Sequence, residues 1–140
     1  MRERFDTALA AARWLGTKEG SREHREILSA YNGIRPLPRG YRMGEKDPWC
    51  AGFVSAAAVM AGTGERYPLE CSCSRIIEEA KAMGIWVEDD RHVPQVGDWV
   101  SMTGRRMGAA TVWVLPTMWE SSSAERMGKC WWWRGTMTTW

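Results

Sequence analysis

Asp47-Pro48-Trp49-Cys50-Ala51-Gly52-Phe53-Val54-Ser55 decides how this chain is read, because it sets a cysteine at the mouth of a helix. Aspartate is a favoured N-cap and proline a favoured first helical residue, so the pattern predicts a helix started by Asp47 and Pro48 with Cys50 in its first turn. The apolar run Phe53, Val54, Ala56, Ala57, Ala58, Val59, Met60, Ala61 continues it. A thiol in a first turn meets the positive end of the helix dipole, which favours thiolate over thiol and makes the sulfur a nucleophile at neutral pH. The competing reading is a small core residue, since free cysteine is among the most buried residue types.

Working outward, 140 residues suit one domain around one core. A scattered formal net charge of +2 gives no ground for a nucleic-acid partner or an anionic surface. No apolar stretch reaches bilayer length, so no membrane partner is expected. Met1 to Asp6 lacks the basic-then-apolar order of a secretory signal, which implies a chain that is cytoplasmic on synthesis. Four cysteines, irregularly placed, do not make a disulfide framework. Cys71-Ser72-Cys73 has the wrong spacing for a zinc site and no second Cys/His pair to complete it. No metal or cofactor is expected, and local packing beside a helix start is the role assigned to the pair.

Upstream, a helix is predicted from about Arg4 to Leu15 with Phe5, Leu9, Ala12 and Trp14 as apolar positions and Gly16 as its stop. Ser21 caps a second helix whose Ile27, Leu28 and Tyr31 form an apolar stripe before Asn32-Gly33 ends it. His24 falls on its polar side and reads as a solvated residue. Arg35-Pro36-Leu37-Pro38-Arg39-Gly40-Tyr41 is an extended connector, since two prolines withdraw amide donors. Downstream, Gly62-Thr63-Gly64 breaks the cysteine helix. Ser74 caps a further helix with Ile76, Ile77, Ala80 and Met83 at helical spacing and Gly84 at its end. Ile85 to Glu88 is a short strand, Asp89-Asp90 a turn, and Val96 to Val100 the lead-in to another strand. Helices first and strands later indicate an α+β fold. His92, in Arg91-His92-Val93-Pro94, reads as a loop residue rather than as the base for Cys50.

Asp47 to Ser55, followed by Val93-Pro94-Gln95-Val96-Gly97-Asp98-Trp99-Val100, resembles the CHAP family of cysteine, histidine-dependent amidohydrolases/peptidases. Glu70-Cys71-Ser72-Cys73 and Gly84-Ile85-Trp86-Val87 are similar to a phage-associated branch of it. The resemblance covers roughly residues 21–100. It implies a papain-like fold, a peptidoglycan partner, action at the cell wall on release, and Cys50 as the nucleophile attacking a peptide or amide carbonyl. Residues 1–20 would then be an N-terminal helix, 21–100 the CHAP-like portion, and 101–140 something else.

The family places an Asp-His-Val-Gly-type strand, carrying the catalytic histidine, soon after the Gly-Asp strand start. From Ser101 to Trp140 this chain has no His, Asp, Asn, Gln, Ile, Phe or Tyr, yet it holds six of the ten tryptophans and five of the nine methionines. Trp131-Trp132-Trp133 matches no strand that alternates inside and outside. The codon table offers an explanation, because Trp and Met each have a single codon. If the original frame joins the third base of each codon to the first two of the next, Met118-Trp119-Glu120 becomes a codon ending in AT followed by forced Val and Gly. With permitted choices elsewhere, Leu115 to Ser122 reads Ala-Asp-His-Val-Gly-Ile-Val. Cys130 to Met137 reads Leu-Val-Val-Glu-Gly-Asn-Tyr, and Ser101 to Gly104 reads Phe-Tyr-Asp-Trp if one base was lost beside Val100. Three matches in family order make a frameshift near Ser101 the leading expectation. The chain is then a CHAP-like hydrolase without its histidine, expected to be inactive. The alternatives are a non-catalytic wall-binding module, whose tail tryptophans stack on sugars, and a non-functional remnant.

Overall fold

The computed structural model describes residues 2–89, 91–104, 110–114 and 131–137, with side chains up to Ser101. Helices come first: α1 (Arg2–Ala12), α2 (Arg22–Asn32), α3 (Cys50–Met60) and α4 (Cys73–Ala82). The strands follow as β1 (Trp86–Val87), β2 (Trp99–Gly104), β3 (Ala110–Val114) and β4 (Trp131–Met137). The architecture is α+β, with the strands paired antiparallel in the order β1-β4-β2-β3. Among the described residues no helix is long and apolar enough to cross a membrane.

The core is built on both sides of α3. A helix that is apolar all round belongs in the interior. Ala51, Val54, Ala57 and Ala58 pack with Ala11 of α1, Ile76 and Ala80 of α4, Tyr67 and Trp99. Ala56 packs on the other side with Ile27, Leu28 and Tyr31 of α2, and with Ile34 and Met43. Small side chains on α3 let these neighbours close in. At Gly52 a β-carbon would stand 2.5 Å from the Met43 sulfur, so the connector crosses the helix where no side chain obstructs it. Asn32 holds that crossing from α2: its Nδ2 donates to the Met43 carbonyl at 3.0 Å and its Oδ1 accepts from the Met43 amide at 2.8 Å.

α2 forms as its sequence indicates. Ser21 Oγ accepts from the His24 amide at 3.2 Å, and Ile27, Leu28 and Tyr31 are buried. α1 is rotated from its expected facing. Phe5 and Leu9 are exposed at 49% and 60%, and the buried face is Arg4, Thr7, Ala8 and Ala11. Polar ties set that rotation. The Arg4 guanidinium bonds to the Gln95 side chain and pairs with buried Asp98 at 3.5 Å, while Thr7 Oγ1 meets Thr63 Oγ1 at 2.7 Å. The expected extended connector contains a 3-10 turn over Pro38–Gly40, with Arg39 at φ 51°. α4 starts one residue before Ser74, with Ser72 at its N-cap position and no side-chain cap, and Met83 is exposed rather than core-facing.

Gly97-Asp98 is the joint between helices and sheet. Gly97 has φ 89°, and a β-carbon there would lie 2.7 Å from the Arg4 carbonyl oxygen, so only glycine fits beside α1. Tyr67 Oη donates to the Gly97 carbonyl at 2.7 Å, and its ring stacks on Trp99 at 4.5 Å between centroids. Asp98 Oδ2 accepts from the Gln95 amide at 2.8 Å. At the far end, Trp131-Trp132-Trp133 belongs to β4 despite its unstrandlike pattern, pairing with Gly104, Thr103 and Met102 of β2. β4 has β1 on one side and β2 on the other, and a ladder on both edges outweighs a weak side-chain preference. Asp90 and residues 115–122, where a turn and a shifted histidine strand were expected, lie outside the described residues.

Candidate functional site

Cys50 is the first residue of α3, half-buried, with fully buried Ala51 behind it. The first-turn placement expected from the sequence holds, but its cause differs. Trp49 occupies the N-cap position with no side-chain cap. Asp47 does not cap the helix, because its Oδ2 accepts from the Tyr41 hydroxyl at 2.9 Å and from the Gly44 amide at 2.8 Å. The Gly44 amide, then the Tyr41 hydroxyl, hold the Asp47 carboxyl below the ordinary aspartate range. Asp47 thus closes the turn that delivers the chain to Trp49 and leaves the amides of the α3 start facing the cysteine.

Cys73 is also a first helical residue, of α4, and its sulfur lies 3.3 Å from that of Cys50. The starts of two helices therefore meet at two thiols. The segment carrying Cys73 is fastened along α3 by Ser55, whose fully buried Oγ donates to the Glu70 carbonyl at 2.8 Å and accepts from the Glu70 amide at 3.0 Å. Glu70 is buried and held from the connector by Arg39, whose Nε and Nη2 donate to its two oxygens at 2.7 and 2.6 Å. Burial alone raises the Glu70 carboxyl, but Arg39 and the Cys71 amide outweigh it and hold it below the ordinary range. Cys71 is turned into this network instead of toward Cys50: its Sγ lies 3.4 Å from Glu70 Oε1 and 3.6 Å from Arg39 Nη2. Burial pushes the Cys71 thiol up, and the Glu70 carboxylate adds to that push. Burial, reinforced by the neighbouring Cys71, likewise holds the Tyr31 hydroxyl far above its ordinary value.

The two histidines occupy different settings. His24 is not solvated as its helix position suggested; it is fully buried, with its ring 4.8 Å from the Trp49 ring between centroids. The Gly20 amide donates to His24 Nδ1 at 3.0 Å, which leaves the ring hydrogen on Nε2. The reason is the turn before α2, which folds back and brings the imidazole onto the residue preceding Cys50. His92 lies in the loop between β1 and β2, as expected, its amide donating to the Asp89 carbonyl at 2.9 Å.

Cys73 and Ser55 were not singled out as parts of one site by sequence reasoning. The only available signal was that two cysteines each fall in the first turn of a predicted helix. A groove of about 510 Å³ lies between α2 and the connector, lined by Arg25, Asn32, Arg42 and Glu45 among others, and includes neither Cys50 nor a histidine. Among the described residues no group of three or more His, Cys, Asp or Glu is placed to hold a metal ion. Comparison with family models, with curated proteins and with solved structures matches this chain to none of them. The arrangement on the page is a cysteine at a helix start, a second thiol in contact with it, and a clamped segment that keeps the two together.

Proposed function

We propose that Cys50 is the nucleophile position of a papain-like, CHAP-type peptidoglycan hydrolase, and that this chain lacks the base that completes the reaction. The observation that carries the reading is the half-buried Cys50 sulfur at the start of the central helix, with Gly97-Asp98 leading into β2 beside it in the core. In a complete site the thiolate attacks the carbonyl carbon of a wall amide and the carbonyl oxygen becomes an oxyanion, stabilised by amides at the helix start. The amine leaves with a proton from the histidine, and the same base activates water to hydrolyse the thioester.

Each of those proton transfers needs an imidazole with access to the sulfur and to water. His24 has none to water: it is fully buried against Trp49, with Nδ1 occupied by the Gly20 amide. The 140-residue chain is therefore expected to leave purified peptidoglycan intact in a turbidity assay. Clearing that Cys50→Ala abolishes would overturn the inactivity and assign a substitute base. A pull-down on the same peptidoglycan reads the binding alternative directly.

A further inference from the structure

Cys50 and Cys73 belong to different helices, 23 residues apart in sequence, yet their sulfurs are in contact at 3.3 Å. A disulfide needs about 2.05 Å, so an approach of little more than an ångström closes the bond. Nothing about that proximity is left to loose chain. Ser55 bonds both the amide and the carbonyl of Glu70, Arg39 grips the Glu70 carboxylate with two nitrogens, and Cys73 then opens α4. Both sulfurs sit at helix starts, where the dipole favours the attacking thiolate, and both are half-buried rather than sealed. Cys71, one residue before the helix cap, is instead engaged with Glu70 and Arg39.

We propose that Cys50 and Cys73 form a two-electron dithiol site, oxidised to a disulfide by a hydroperoxide and returned to the dithiol by a small-molecule thiol. The Cys50 thiolate attacks one oxygen of the hydroperoxide, the O–O bond breaks, and the departing oxygen leaves protonated as alcohol or water. Cys50 is then a sulfenic acid. The Cys73 sulfur attacks the Cys50 sulfur, the S–O bond breaks, and hydroxide takes the Cys73 proton to leave as water. Two thiols lose two electrons and two protons while one hydroperoxide is reduced. The assignment stands on the two sulfurs and their clamp, and does not depend on the hydrolase reading. If that reading also holds, oxidation removes the nucleophile.

The test treats the full 140-residue chain with hydrogen peroxide, blocks remaining thiols with iodoacetamide, and maps the cross-link by peptide mass spectrometry. The expected result is a Cys50–Cys73 disulfide that dithiothreitol reverses, formed equally in Cys71→Ser. In Cys73→Ser the expected product is a Cys50 sulfenic acid that dimedone traps. A cross-link from Cys71, or no cross-link at peroxide levels that oxidise Cys50, overturns the proposal. Because the readout is a bond and not wall lysis, its failure and that of the hydrolase reading are separate results.

Discussion

The cysteines differ in reactivity because their surroundings differ. Burial and the Glu70 carboxylate both oppose ionisation of Cys71, whereas Cys50 stands at the start of α3. Iodoacetamide at neutral pH is expected to modify Cys50 ahead of Cys71, read as peptide-resolved alkylation over time; equal rates would remove the argument for a nucleophile at Cys50. The carboxylate that faces Cys71 has its own pH signature. Glu70 titrates below the ordinary glutamate range because Arg39 and the Cys71 amide outweigh burial. A carboxylate depressed in the folded state contributes stability above its unfolded pKa and loses it as pH falls through the folded value, here below about pH 4. Glu70→Gln is expected to cost about 2 kcal/mol at pH 7, since hydrogen bonds to a charged group are lost while their donors stay in place. In urea unfolding the gap between variant and parent should narrow in acid; a gap of constant size sinks the assignment.

At the scale of elements, the site depends on joints that hold α3 to its neighbours. Ser55 is fully buried and satisfies both polar groups of the Glu70 backbone. Ser55→Ala leaves them unpaired, at a cost of roughly 1–3 kcal/mol. The same change should slow the peroxide-driven Cys50–Cys73 cross-link, which a purely local loss of stability would leave untouched. Gly97→Ala places a methyl 2.7 Å from the Arg4 carbonyl at φ 89° and is expected to lower the melting temperature more than Gly62→Ala, also at positive φ but with open space around it. The elements themselves were largely legible in the sequence. The apolar run of α3, the Ser21 cap and stripe of α2, and Gly84 after α4 are local signals, and each element stands where they put it. What could not be read is long-range. Phe5 and Leu9 look like a core stripe until Arg4 is seen to pair with Asp98, more than ninety residues away, which turns them to solvent. Asp47 looks like a cap until Tyr41 and Gly44 occupy its carboxylate. His24 looks solvated until Trp49 covers it. The contact of Cys50 with Cys73 joins two helix starts whose local patterns say nothing of each other.

For the whole molecule, the described core and the C-terminal sequence give different accounts of the chain. Residues 2–101 carry a connected interior in which α1, α3, α4 and β2 share one cluster and the Gly97-Asp98 joint fits its neighbours without slack. The stretch from Ser101 onward has lost whole residue classes, and with them any histidine that could serve Cys50. A lost base beside Val100 accounts for both facts at once. It leaves the helices and the start of β2 under their original code and replaces everything after them, while the Trp and Met codons still spell forced Val-Val and Val-Gly in the shifted frame. The account makes a prediction at a single nucleotide. Histidine ahead of the forced Val-Gly requires the Thr117 codon to end in C, so any other third base in the coding DNA removes the histidine strand. With C in place, a chain read in the shifted frame from Ser101 is expected to clear peptidoglycan suspensions that the present chain leaves turbid, and Cys50→Ala should abolish the clearing. A folded, frame-restored chain without lytic activity would refute Cys50 as a wall-hydrolysing nucleophile, while the dithiol chemistry of Cys50 and Cys73 would stand on its own test.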